Sequence, residues 1–135
     1  MSVVIPDEVK QFLSGKVGWV ATASRDGMPN VSIKGSLRVL DEGHLVFADL
    51  FSVKTRKNLE ENPKVAVMVA DVATREGYIL KGTAELLTEG PVYDRIIEEL
   101  KKAPRKMPNP KYAVKITVTE IYDQGMGPNG GKRLA

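Results

Sequence analysis

His44-Leu-Val-Phe-Ala-Asp-Leu-Phe-Ser-Val-Lys-Thr-Arg-Lys-Asn-Leu-Glu-Glu-Asn-Pro63 decides the fold of this chain. Leu45-Val46-Phe47-Ala48 is a short apolar run and reads as a buried strand. Asp49 to Ser52 turns the chain, and Ser52 suits the N-cap of a helix that must stop before Pro63. The first turns of that helix carry Lys54, Thr55, Arg56 and Lys57. Cations at a helix start oppose the macrodipole and cost roughly 0.3 kcal/mol each. Two readings are open. The turn is a solvated basic face, or it seats an anion such as a phosphate between backbone N–H groups, the Thr55 hydroxyl and the Lys54 ammonium.

Working outward, Pro6 to Gly15 reads as a short helix: Pro6 suits the first position, Asp7 and Glu8 the positive end, and Gly15 the close. Val9, Phe12 and Leu13 form its apolar stripe. Val17 to Ala23 alternates with two largely apolar faces, a strand covered on both sides. After the turn Arg25-Asp-Gly-Met-Pro-Asn30, Val31 to Leu40 alternates as one strand. Val31, Ile33, Leu37 and Val39 share one face, and Ser32, Lys34, Ser36 and Arg38 the other. That polar face is either solvated or set to hydrogen-bond a flat polar ring beside Gly35. These three strands, ending with the one at His44, form an antiparallel meander.

Beyond Pro63, Val65 to Ala70 reads as a central strand. Tyr78 to Leu87 alternates, with Gly82 marking a bulge or close backbone approach. Gly90-Pro91 opens a second amphipathic helix, ended by Pro104. The basic, Pro-rich stretch from Lys101 to Lys111 reads as an exposed linker, and Tyr112 to Tyr122 as the last strand. About six strands with short helices exclude a doubly wound sheet, and closure into a small antiparallel barrel best protects the edges. The Gly125-Met-Gly-Pro-Asn-Gly130 match to a dinucleotide fingerprint lacks a following helix and reads as a flexible tail.

At 135 residues, with 42% hydrophobic and 27% charged, the chain has the size of one domain with one core. It contains no cysteine and one histidine, which leaves no metal cluster and no Ser-His-Asp site. Neither a membrane-length apolar run nor a signal peptide is visible, so a cytoplasmic protein is expected. A net charge of +3 is too small to argue for nucleic acid.

Gly18-Trp-Val-Ala-Thr-Ala23, Asp26-Gly-Met-Pro-Asn30, Val31-Ser-Ile-Lys-Gly-Ser36 and Lys54-Thr-Arg-Lys-Asn-Leu-Glu-Glu-Asn-Pro63 together resemble the flavin-binding split-barrel family, the superfamily of pyridoxamine 5′-phosphate oxidase and small FMN-binding proteins. The resemblance implies a mainly β, six-stranded antiparallel split barrel over residues 1–135. It implies FMN as cofactor, with its phosphate held at Lys54 and Thr55 beside Val53. Ser32, Ile33, Lys34, Gly35 and Ser36 would run along the flavin, and Ala48, Asp49 and Leu50 would pass its ribityl chain and ring. A homodimer with flavin at the interface is also implied, with no nucleic acid, membrane or metal. The vitamin B6 oxidases carry an Arg-x-His substrate motif near the C-terminus, whereas this chain has no histidine after His44. The expected function is therefore an FMN-dependent oxidoreductase of another substrate. The alternatives are an electron carrier or flavin store, a binder of deazaflavin F420 or haem, and a basic RNA-binding barrel.

Overall fold

The computed structural model describes residues 2–135. Three helices and seven strands follow one another as α1 (Asp7–Leu13), β1 (Gly18–Ala23), β2 (Pro29–Lys34), β3 (Arg38–Asp41), β4 (His44–Asp49), α2 (Lys54–Glu61), β5 (Lys64–Asp71), β6 (Glu76–Leu87), α3 (Pro91–Lys101) and β7 (Tyr112–Asp123). All strand pairings are antiparallel, in the order β2-β1-β5-β6-β7-β4-β3. The sheet does not close, and the open edges belong to β2 and β3. The architecture is a split barrel with seven strands rather than the six expected.

The extra strand comes from a break. Val31 to Leu40 is two strands, separated at Gly35 to Leu37, where Leu37 N–H reaches back to the Lys34 carbonyl. β2 pairs with β1 and β3 with β4, so no meander joins them. The ladder between β3 and β4 runs out at the Arg38–Val46 pair, leaving the Ala48 N–H without a strand partner on that side. The Ser36 hydroxyl takes that N–H at 2.9 Å.

Burial follows from this curl. Leu45 and Phe47 of β4 enter the main core with Val20, Val67, Val69, Leu80, Val114 and Ile116. Val46 and Ala48, on the other face, pack beneath α3 against Ile96. That double cover explains the uninterrupted apolar run in β4. α1 closes one end of the core through Val9 and Leu13, and its Phe12 meets Tyr78 edge-on at 5.1 Å between centroids. α2 buries Thr55, Asn58 and Leu59, and the Asn58 amide donates to the Thr22 hydroxyl of β1 at 3.1 Å. Asn62 ends that helix before Pro63, as the sequence requires.

The alternation of β2 left open which face turns inward; it is the one with Ser32 and Lys34, while Val31 and Ile33 lie exposed. Two expectations need correction. β1 is covered on one side only: Val20 and Thr22 are buried, but Trp19 is 38% exposed. The glycine-rich tail is not loose. It folds back beside the end of β7, with Leu134 N–H on the Ile121 carbonyl at 2.7 Å and Ala135 against the core. Together with Val3, it covers the edge of β7 that β4 leaves open beyond Thr117.

Gly82 sits where the β6–β7 register shifts, and a Cβ there would lie 2.0 Å from the Thr117 carbonyl oxygen. Backbone on the partner strand cannot yield as a side chain can. Gly82→Ala should therefore destabilise the fold by about 3 kcal/mol and lower the melting midpoint by roughly 10 °C. Thermal unfolding checks this, and an unchanged midpoint would show that the bulge relaxes freely.

Candidate functional site

The two open edges face each other across a cleft of about 710 Å³. β2 and the break contribute Ser32 to Ser36, and β3 contributes Arg38. The end of β4 and the turn after it contribute Ala48, Leu50, Phe51 and Ser52. The outer wall comes from α3 and the segment behind it: Glu99, Leu100, Ala103, Arg105 and Met107. The volume is that of an ordinary small-molecule site. Ile33, Ala48, Leu50, Leu100 and Met107 offer apolar surface to a flat body, and the polar groups sit among them.

Lys34 is the unusual member. It is only 9% exposed, and its ammonium makes neither an ion pair nor a hydrogen bond among the described residues. Its nearest companion is the Phe47 ring, 5.5 Å from Nζ to the centroid. Burial pulls the Lys34 pKa below its usual value; the Asp49 charge opposes that shift and the Arg56 charge adds to it. An unpaired ammonium on a largely buried side chain, lining an open cleft, is set to receive an anionic or electron-rich group.

Next to it, the Ser32 and Thr55 hydroxyls lie 2.7 Å apart, linking the cleft wall to the first turn of α2. Thr55 is buried, whereas Lys54 is exposed. No side chain caps α2: Val53 occupies the N-cap position, and the first turn holds no acidic residue. Ser52, the cap expected from sequence, donates instead to the Asp49 carboxylate. The other Asp49 oxygen accepts from Arg56 Nε at 2.7 Å, and that bond raises the Arg56 pKa. Asp49 thus fastens the β4–α2 turn from within.

Of the expected site residues, Ser32, Ile33, Lys34, Gly35, Ser36, Ala48 and Leu50 line the cleft together. Thr55 joins them through Ser32, while Val53 and Lys54 lie exposed at the adjoining helix start. Asp49 does not face the cleft: its carboxylate is spent on Ser52 and Arg56. Sequence reasoning missed the outer wall. The stripe of α3 marks Ile96 as inward but says nothing of Glu99, whose partner Arg38 is 61 residues away. The one available signal was the run from Lys101 to Lys111, which carries five cations and no carboxylate. Among the described residues, no cluster of metal-ligating side chains occurs, and no helix is long and apolar enough to cross a membrane.

The family model described as pyridoxamine 5′-phosphate oxidase matches residues 5–125. An uncharacterized protein of Methanocaldococcus jannaschii is 43% identical over 98% of this chain and 89% of its own length. The structure of HupZ from Group A Streptococcus superposes with a TM-score of 0.83 at 31% identity, covering 94% of this chain and 99% of that one. An FMN-binding protein from Syntrophomonas wolfei shares the fold with a TM-score of 0.72 at 21% identity, over 84% of this chain and 79% of its own.

Removing the Lys34 charge should stabilise the ligand-free protein. Lys34→Met replaces a partly desolvated cation by an apolar side chain of similar length, and about 1 kcal/mol of added stability is expected at neutral pH. The folded state holds this proton less tightly than the unfolded chain does. Wild-type stability should therefore gain as pH rises through the folded pKa of Lys34 towards 10.5. Urea unfolding across that range should show the gain in wild type and not in Lys34→Met; a variant weaker than wild type at pH 7 would contradict this.

Proposed function

The chain belongs to the pyridoxamine 5′-phosphate oxidase family, and on that premise we propose that its cleft binds FMN and that the protein is an FMN-dependent oxidoreductase. The observation that carries this reading is Lys34, a largely buried lysine whose ammonium makes no ion pair or hydrogen bond among the described residues and which lines the cleft two residues from Ser32 of the Ser32–Thr55 hydroxyl pair. The donor set fits the cofactor. FMN pairs a flat ring having electron-rich edges with a phosphate dianion. The chain offers an apolar-walled slot, an unpaired cation, two hydroxyls and an uncapped basic helix start.

In this reading Lys54 and Thr55 take the phosphate, helped by the free N–H groups of the first turn of α2. Ser32 to Ser36, Ala48 and Leu50 run beside the remainder of the ligand. Bound FMN supplies the redox chemistry with its own ring. The chain binds and orients it, and Leu100 and Met107 shield it from water. Glu99 is the one carboxylate in the lining, and Arg38 and Arg95 hold it. The residues present thus serve positioning and electrostatics. Lys34 would favour a ligand that gains negative charge.

A homodimer belongs to the same proposal. Trp19, Val31, Ile33 and Met68 leave a wide apolar face uncovered on β1, β2 and β5. Ile33, 59% exposed, also lines the cleft, so a second copy seated on this face would border the ligand.

Purified protein should carry absorption bands near 370 and 450 nm, roughly where flavins absorb. Lys54→Ala should weaken FMN binding about ten- to a hundredfold, because a charge-assisted contact contributes roughly 1.5–3 kcal/mol. Riboflavin, which has no phosphate, should bind almost as before. Thr55→Val should act in the same direction, less strongly. Flavin-fluorescence titration separates these cases, and equal losses for both ligands would sink the phosphate assignment. Light scattering should report about twice the 14.8 kDa chain mass; a value near one chain would sink the dimer.

A further inference from the structure

Besides the packing of α3 through Ile96 and Leu100, side-chain and backbone bonds fasten the outer wall at its two ends. At its far end, the Tyr93 hydroxyl donates to the Pro110 carbonyl at 2.7 Å and Lys111 N–H to the Asp49 carbonyl at 3.0 Å. At its near end stands Glu99, two residues before the end of α3. Between these anchors, Arg105 and Met107 line the cleft, yet neither makes a hydrogen bond or ion pair among the described residues. Three prolines, at 104, 108 and 110, stiffen the segment but add no attachment.

Glu99 is engaged from both sides. One oxygen accepts from Arg38 Nη1, and the other from Arg95 Nε at 3.3 Å. Arg38 also donates through Nε to the Ser36 carbonyl at 3.1 Å, and the Ser36 hydroxyl holds the Ala48 N–H at the cleft floor. A continuous chain of bonds therefore runs from α3, through Arg38, to the point where the sheet splits. We propose that Glu99 and Arg38 are positioning residues: their pairing holds the end of α3 and the 102–110 strap as the third wall of the cleft and so sets how long a bound ligand is retained. For the identity of that ligand the inference rests on the FMN reading.

The test is a double-mutant cycle on the full chain with Glu99→Gln, Arg38→Gln and both. In the ligand-free protein, exchange of the hydrogen-bonded Lys102 and Ala103 amides should quicken about tenfold in each single variant and no further in the double. In FMN-loaded protein, dissociation should quicken about tenfold in each single and again no further in the double. Association should stay within about twofold, and iodide should quench the bound flavin more readily. Unchanged exchange in the strap overturns the proposal, because packing of Ile96 and Leu100 would then suffice to hold the wall. So does a double variant whose dissociation is faster by the product of the two singles, since each residue would then touch the ligand independently. Failure of the FMN reading shows separately, as a wild-type protein whose addition leaves FMN fluorescence unchanged while the exchange experiment still decides the wall.

Discussion

The Ala48 N–H must find an acceptor, and no strand supplies one. β3 has already peeled away at Gly35 to Leu37, so the Ser36 hydroxyl substitutes for the missing ladder carbonyl. That single bond allows the sheet to remain split. A buried amide without a partner costs roughly 1–3 kcal/mol, enough to drive the edges together or to distort β4. With Ala48 satisfied, β2 and β3 stand apart and the cleft between them persists. Ser36 also passes the geometry outward, because its carbonyl accepts from Arg38 and Arg38 meets Glu99 on α3. Floor and outer wall thus hang on one turn of three residues.

Lys34 sits at the inner end of that opening, and its placement runs against stability. A lysine with 9% exposure and no ion pair among the described residues lowers the stability of the ligand-free chain. Asp49 is close enough to moderate the cost, but its oxygens are committed to Ser52 and Arg56. A charge kept in this condition is preorganised for a ligand. It needs no reorganisation when an anion arrives, and the low-dielectric surroundings strengthen the contact. The apolar face of β1, β2 and β5 carries a related tension, since Trp19 and Ile33 lie open on the strands that shape the cleft.

Much of this was legible in the sequence, for identifiable reasons. The apolar run from Leu45 to Ala48 marks a strand buried on both faces, and β4 is one. Pro63 and Asn62 set the end of α2, and Gly82 marks the bulge in β6. Seven of the proposed ligand-side residues line one cleft, because a strand and the turn facing it are local features. The orientation of β2 was not legible. Alternation fixes which residues share a face, but not which face points inward, and here the polar one does. The break at Gly35 was hidden because the alternation of Val31 to Leu40 continues through it. The outer wall was hidden for another reason: Arg38 and Glu99 meet only through tertiary folding. Asp49 shares a stretch with the cleft-lining Ala48 and Leu50, but the engagement of its carboxylate by Ser52 and Arg56 is set by the turn and could not be read from the sequence.

The central claim is that the Lys34 ammonium is an unpaired cation of the cleft and that FMN gives it a partner. The direct measurement is an NMR titration of the Lys34 Cε resonance in free and FMN-saturated protein. The account predicts a pKa below 10.5 in the free protein, from desolvation, and a rise once the ligand provides a negative partner. A Lys34 pKa that FMN saturation leaves unmoved would contradict it.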